Sequence, residues 1–330
     1  MHRFFHSIGP SLGVATAILF SSLSLEAGDS GDMRSADSLR HVKRIVFLGD
    51  SITQKGDYIA DVECWLLSQG MTPEVLNLGL GSETATDLSA QENEGHIKKF
   101  GFGRPAVSER IDRVLEQTKP DLLFICYGMN DGVELDRYAE AINALRKKAL
   151  ASGVKTHVFC TPPVRDNKKD LASNPEDQKL ASYSEWFLQK KEEGWLVVDI
   201  HGPMRKALDQ GRAENPNFAF APDGVHPSRE GHWVMAKQIL EQIFGADTSA
   251  FLSAEQILPA NGDKVRPLVL ERLNLLSNAW MTQIGHTRPF LAGGPNSQPG
   301  LPVPEAEEKA KSLSNQIQQL LHSPNPQTKS

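Results

Sequence analysis

With 330 residues, 39% hydrophobic and 23% charged, the chain can build one large core with additions, or two domains. Its formal net charge of -6 gives no electrostatic reason to expect nucleic acid or an anionic membrane as partner. Outside the amino terminus no apolar run is long enough to span a bilayer.

The amino terminus carries Arg3 and two histidines, then the apolar stretch Leu12 to Phe20, then small and polar residues ending in Glu26-Ala27-Gly28. That order is the order of a cleavable secretory signal, so residues 1–27 read as a signal peptide and the protein as periplasmic or secreted. Leu25 is large for the third position before a cut at Ala27. An uncleaved anchor is the other reading, and the short apolar core argues against it. No cysteine precedes Cys64, which excludes a lipid-modified amino-terminal cysteine. Residues 28–42, rich in Ser, Asp and Gly, read as a disordered lead-in.

Apolar runs and amphipathic stretches then alternate. Strands are predicted at Ile45–Leu48, Val75–Leu78, Leu122–Cys126, Thr156–Cys160 and Leu196–Ile200. Helices are predicted near Tyr58–Leu67, Ser108–Gln117, Leu135–Leu150, Ala181–Lys191, Pro203–Gln210 and Ser228–Phe244. The stretch Gln91–Arg104 reads as a long loop able to overhang a site and shape an acyl or sugar pocket. Such alternation argues a parallel sheet with helices on both faces, spanning residues 43–245. Residues 246–322 read as a helical extension. In it Pro267 opens one helix through Leu270, Leu273, Leu276 and Trp280, and a Gly/Pro-rich loop, Gly293–Pro304, leads to a last helix bearing Ala310, Leu313, Ile317 and Leu320. These helices are expected to dock on the core, with a partner-binding appendage as the alternative, and residues 323–330 to form a disordered tail. Cys64, Cys126 and Cys160 make no disulfide framework and read as buried free thiols.

The chemistry begins at Gly49-Asp50-Ser51-Ile52, directly behind the first strand, where open α/β sheets place their reactive groups. Far downstream, Asp223-Gly224-Val225-His226-Pro227 offers a carboxylate and an imidazole three positions apart. Serine, histidine and aspartate are the parts of a nucleophile, its base and the group that orients the base. Two decoys carry less. Gly28-Asp29-Ser30 follows no strand, and Gly9-Pro10-Ser11-Leu12-Gly13 matches a nucleophile elbow but lies inside the signal segment. Gly79-Leu80-Gly81 lacks the third glycine of a dinucleotide loop, Thr84 standing in its place, and no histidine or cysteine cluster has metal-ligand spacing.

Taken in order, GDSIT at 49–53, NLGLGSET at 77–84, YGMND at 127–131 and DGVHP at 223–227 resemble the four signature blocks of SGNH (GDSL-type) hydrolases. The resemblance covers about residues 43 to 244. The wording around GLGSET and CYGMNDG is also similar to a bacterial subgroup of planctomycete type. The resemblance implies a three-layer α/β/α, flavodoxin-like core with five parallel strands. It implies Ser51 as nucleophile, His226 as general base and Asp223 as orienting acid, and an oxyanion hole from the backbone N–H groups of Ser51 and of a second-block residue with the Asn130 side chain. Counted from Asn77, the family's second-block glycine falls on Ser82, with Gly81 one position earlier as the alternative. Serine there raises the question of backbone conformation, since glycine tolerates positive φ far better. The implied activity is hydrolysis of carboxylic esters without metal or organic cofactor. The expected substrate is a small-molecule or polysaccharide ester, acetyl on carbohydrate first. A lipase-like acylhydrolase and a non-catalytic carbohydrate- or partner-binding protein are the alternatives.

Overall fold

The run Arg44–Gly49 forms strand β1, and Glu74–Asn77, Leu122–Cys126, Thr156–Cys160 and Leu196–Val198 form β2 to β5. The computed structural model describes residues 41–167, 173–258 and 261–323, all within one compact unit, Asp32–Ser330. The expected signal peptide, nearly all of the lead-in and residues 324–330 lie outside the described residues. All five strands pair in parallel in the order β2-β1-β3-β4-β5. A parallel sheet is covered on both faces, which is why its central strand β3 is a continuous apolar run with all five residues buried. Phe47 of β1 stacks on Phe124 of β3 with ring centroids 4.6 Å apart.

The helices are α1 (Ser51–Lys55), α2 (Asp57–Ser68), α3 (Ala90–Phe100), α4 (Ile111–Thr118), α5 (Leu135–Ala151), α6 (Pro175–Glu192), α7 (His201–Glu214), α8 (Arg229–Phe244), α9 (Gly262–Ile284) and α10 (Val303–His322). Helix α2 packs on α8, while α4 contacts α5 and α5 contacts α6, giving the three-layer α/β/α arrangement. From β1 the chain crosses to β2 on one side, and β3 then pairs on the other side of β1, so the strand order reverses there. The crevice beyond the carboxyl ends of β1, β2 and β3 is therefore where such sheets bind ligands.

The segment expected to be a long loop, Gln91–Arg104, is instead mostly helix α3. Ser89 and Glu92 form a capping box, and Gly101 closes the helix at φ 82. The helix buries only Asn93 and His96, so it lacks the apolar period that marks its neighbours. Helix α6 begins six residues before the expected Ala181, because Asn174 caps it and Pro175 stands in its first turn.

The extension docks on the core. Helix α9 starts at Gly262, not Pro267, so Pro267 lies inside it. An interior proline costs about 3 kcal/mol, and tertiary contacts offset it. Val265 is fully buried, and Arg266 reaches back to α2, donating to Asp61 at 2.8 Å and to Asp57 at 2.8 Å. Arg272 pairs with buried Glu63 of α2 at 2.6 Å. Helix α10, starting at Val303 rather than after Pro304, packs Ala306, Ala310, Leu313 and Ile317 toward α9. The three cysteines are buried free thiols. Among the described residues no helix is long and apolar enough to cross a membrane.

Candidate active site

The turn after β1 is tight. Asp50 caps α1 by accepting from the Ile52 N–H at 2.9 Å, and this sets Ser51 at the first position of the helix. Gly49 is required: a Cβ there would lie 2.1 Å from Thr53 Oγ1 and 2.6 Å from the Cys126 carbonyl. The loop after β2 closes over α1 in the same way, with Asn77 Nδ2 donating to the Thr53 carbonyl at 2.9 Å.

His226 arrives from 175 positions away, and its Nε2 lies 2.8 Å from Ser51 Oγ. Its Nδ1 lies 2.6 Å from Asp223 Oδ2, while Asp223 Oδ1 accepts the backbone N–H groups of Val225 at 2.9 Å and His226 at 2.8 Å. A carboxylate accepts only, so Nδ1 carries a proton and Nε2 of the neutral ring is free to accept from Ser51. Partial burial pushes the Asp223 carboxyl up, but the hydrogen bonds from His226 and Val225 outweigh it and hold the group down at about 2. The loop is braced from behind. Buried Asp166 accepts from the Phe220 N–H at 2.8 Å and pairs with Arg212, and its own N–H donates to the Gly224 carbonyl at 3.0 Å.

The second block shows where the missing glycine conformation went. Ser82 has φ 69, a left-handed backbone, whereas Gly81 does not. This conformation costs a non-glycine residue about 1–2 kcal/mol. Its neighbours are firmly anchored. Glu83 is fully buried, takes both Nε and Nη2 of Arg110 at 2.6 Å, and accepts from Tyr127 Oη at 2.6 Å. On the other side His96 of α3 lies 3.3 Å from Ser82 Oγ through Nε2 and 2.7 Å from the Phe102 carbonyl through Nδ1. The carbonyl requires a proton on Nδ1, so Nε2 of the neutral ring accepts from the Ser82 hydroxyl. Burial lowers the His96 pKa, which favours that neutral ring.

In the third block, Asn130 Nδ2 donates to the Glu83 carbonyl at 3.1 Å, and its Oδ1 accepts from Arg104 Nη1 at 2.7 Å. Buried Asp131 accepts from the Thr86 N–H at 2.8 Å and the Thr86 hydroxyl at 2.7 Å. Hydrogen bonds thus join Ser51, His226 and Asp223 in one chain, while Ser82 and Asn130 meet at Glu83, whose backbone follows Ser82 and whose carbonyl holds the Asn130 amide. Arg104, His96, Arg110 and Asp166 were not singled out as site residues in the sequence, because each acts through a partner distant along the chain. Among the described residues no group of three or more His, Cys, Asp or Glu side chains could hold a metal ion.

A sequence profile of the GDSL-like lipase/acylhydrolase family matches residues 47–234, more than half of the chain. The chain belongs to the GDSL-type (SGNH) hydrolases. This hydrolase therefore acts on ester bonds with a serine nucleophile, as its family does. It is 27% identical over 237 residues to an acetylxylan esterase of Geobacillus stearothermophilus, covering 61% of the hydrolase and 94% of that relative. A solved structure of an acetylxylan esterase from the same organism, a catalytic mutant, aligns with a TM-score of 0.47 at 22% identity, over 62% of the hydrolase and 95% of that chain. A gut microbial diltiazem-metabolizing enzyme aligns with a TM-score of 0.43 at 20% identity, over 62% of the hydrolase; the hydrolase spans 47% of that enzyme's length.

Beneath Ser51 the hydrolase buries a carboxyl that titrates near neutrality. Burial pushes Asp50 up, the bond from Ile52 N–H pulls it back, and nearby Asp131 raises it again, leaving it at about 7 against an ordinary 3.8. Between those values the folded chain holds a proton that the unfolded chain has released, so stability falls as pH rises from about 4 to about 7 and is level above. The full loss is on the order of 4 kcal/mol. Asp50→Asn keeps an acceptor for the Ile52 N–H and does not titrate. Its melting temperature, relative to wild type, should therefore climb between pH 4 and pH 7 and then hold constant. An offset independent of pH would show that Asp50 does not carry this proton.

Proposed function

We propose that this hydrolase is an exported esterase that removes small acyl groups, acetyl foremost, from carbohydrate through an acyl-enzyme on Ser51. The observation that carries the mechanism is the continuous chain Ser51 Oγ–His226–Asp223, with links of 2.8 and 2.6 Å. In it the Ser51 proton passes to His226 Nε2 as Oγ attacks the ester carbonyl, and the carbonyl oxygen becomes an anion. The Ser51 and Ser82 backbone N–H groups and Asn130 Nδ2 receive that anion. His226 then gives its proton to the departing alcohol oxygen, the C–O bond breaks, and the acyl group stays on Ser51. Water attacks this ester, losing its proton to the same nitrogen; the acid leaves, and Ser51 recovers its proton. Asp223, ionised at every pH well above about 2, keeps the imidazolium oriented throughout.

The substrate class rests on a different footing. The acetylxylan esterase similarity favours acetylated sugar, and export, read from residues 1–27, would place the enzyme where such polymers occur. A series of p-nitrophenyl acetate, butyrate and octanoate, run alongside acetylated xylan and pectin, tests it. Acetate should be the fastest ester, with acetic acid released from at least one polymer. A maximum at octanoate would replace this reading by the lipase-like one.

A further inference from the structure

Asn130 can act as an oxyanion donor only if its amide presents nitrogen, not oxygen, to the site. Nothing in the amide itself decides this, because a half turn about its terminal bond exchanges the two. The neighbours decide it. A guanidinium donates and never accepts, so the atom 2.7 Å from Arg104 Nη1 must be Oδ1. On the other flank the Glu83 carbonyl accepts only, and it takes one hydrogen of Nδ2 at 3.1 Å. The second hydrogen of Nδ2 is left for the site.

Arg104 is itself held in place. Its backbone N–H donates to the side chain of buried Asn93 at 2.7 Å, and Asn93 sits in α3, whose end is fixed by Gly101. The arginine lies outside all four signature blocks. It is half-buried, so water screens its charge less than on an open surface, and a charge at the carbonyl end of an amide polarises the N–H bonds at the other end.

We infer that Arg104 is a positioning residue of this hydrolase: it locks the Asn130 amide with Nδ2 toward the oxyanion and strengthens that donor. This rests on the proposed role of Asn130. Removing the guanidinium leaves the amide held by the Glu83 carbonyl alone, which weakens the preference against the turned state in which its oxygen faces the developing anion. The loss falls on the transition state, because the anion exists only there.

The test is a double-mutant cycle on the full chain, measuring kcat and KM for p-nitrophenyl acetate in wild type, Arg104→Met, Asn130→Ala and the double variant. Arg104→Met keeps the aliphatic stem and should lower kcat about tenfold or more with KM within about twofold. Arg104→Lys, which restores a cationic donor, should recover most of the rate. In the Asn130→Ala background Arg104→Met should cost less than about twofold. Ser51-dependent activity that Arg104→Met leaves unchanged, or a full multiplicative loss in the double variant, overturns the inference and leaves the triad untouched. Turnover that survives Ser51→Ala overturns the catalytic reading, and this inference with it. Should Arg104→Met fail to fold, Arg104→Ala, which also removes the guanidinium, reads the same coupling when compared with wild type in both Asn130 backgrounds.

Discussion

Ser51→Ala is expected to lower kcat on p-nitrophenyl acetate by on the order of 10⁴–10⁶-fold with little change in melting temperature. Among the described residues the hydroxyl has one hydrogen-bond partner, His226 at 2.8 Å, and it is not among the atoms that cap α1, so its removal should disturb little packing. What disappears is the covalent route. The oxyanion donors remain and sustain a residual rate above that of water. His226→Ala should cost a comparable factor, and the double variant should be hardly worse than either alone, since the two side chains act as one unit. Independent, multiplying losses would mean that the 2.8 Å contact is incidental to catalysis.

Asn130→Ala is expected to lower kcat about 10²–10³-fold, equivalent to about 2.7–4 kcal/mol, with KM nearly unchanged. The reason is again where the charge resides. The ground-state carbonyl interacts weakly with Nδ2, whereas the tetrahedral anion draws on it fully in a site partly shielded from water. A rise in KM at constant kcat would move Asn130 from transition-state stabilisation to ground-state binding.

These effects fall on residues that stood out in the sequence, and the reason is physical. β1 and β3 carry the apolar runs Ile45–Leu48 and Leu122–Cys126, so their carboxyl ends could be located within a residue or so, and with them the loops that bear Ser51 and Asn130. The loop bearing Asp223 and His226 was marked by its own Gly and Pro. Strand β5 was read two residues too long because Ile200 continues the apolar pattern past Asp199, yet the Ile200 and His201 N–H groups turn aside to Thr161 Oγ1 and start α7. Helix α3 was missed because its signal lies in its caps rather than its period; Ser89-Ala90-Gln91-Glu92 was a legible capping box. Pro267 misled because an ordinarily costly interior proline is offset by ion pairs to α2, more than 200 positions away in sequence. Arg104 left no trace at all. No local spacing relates it to Asn130, 26 residues on, and only the folded chain brings the guanidinium to the amide.

The expectation for Ser82 has a finer lesson. The sequence posed a conflict between a serine and a backbone conformation suited to glycine, and the fold keeps both by holding Ser82 at φ 69 between the anchored Glu83 and His96. Local strain held by rigid neighbours is common where geometry matters to chemistry.

The account stands on an activated hydroxyl at Ser51. Treating the wild-type protein with a fluorophosphonate and mapping the adduct by peptide mass spectrometry tests it most directly, with His226→Ala as the control. The prediction is rapid, stoichiometric modification on the peptide bearing Ser51, slowed by orders of magnitude in His226→Ala. An unmodified Ser51, or modification at the same rate without the histidine, would contradict it.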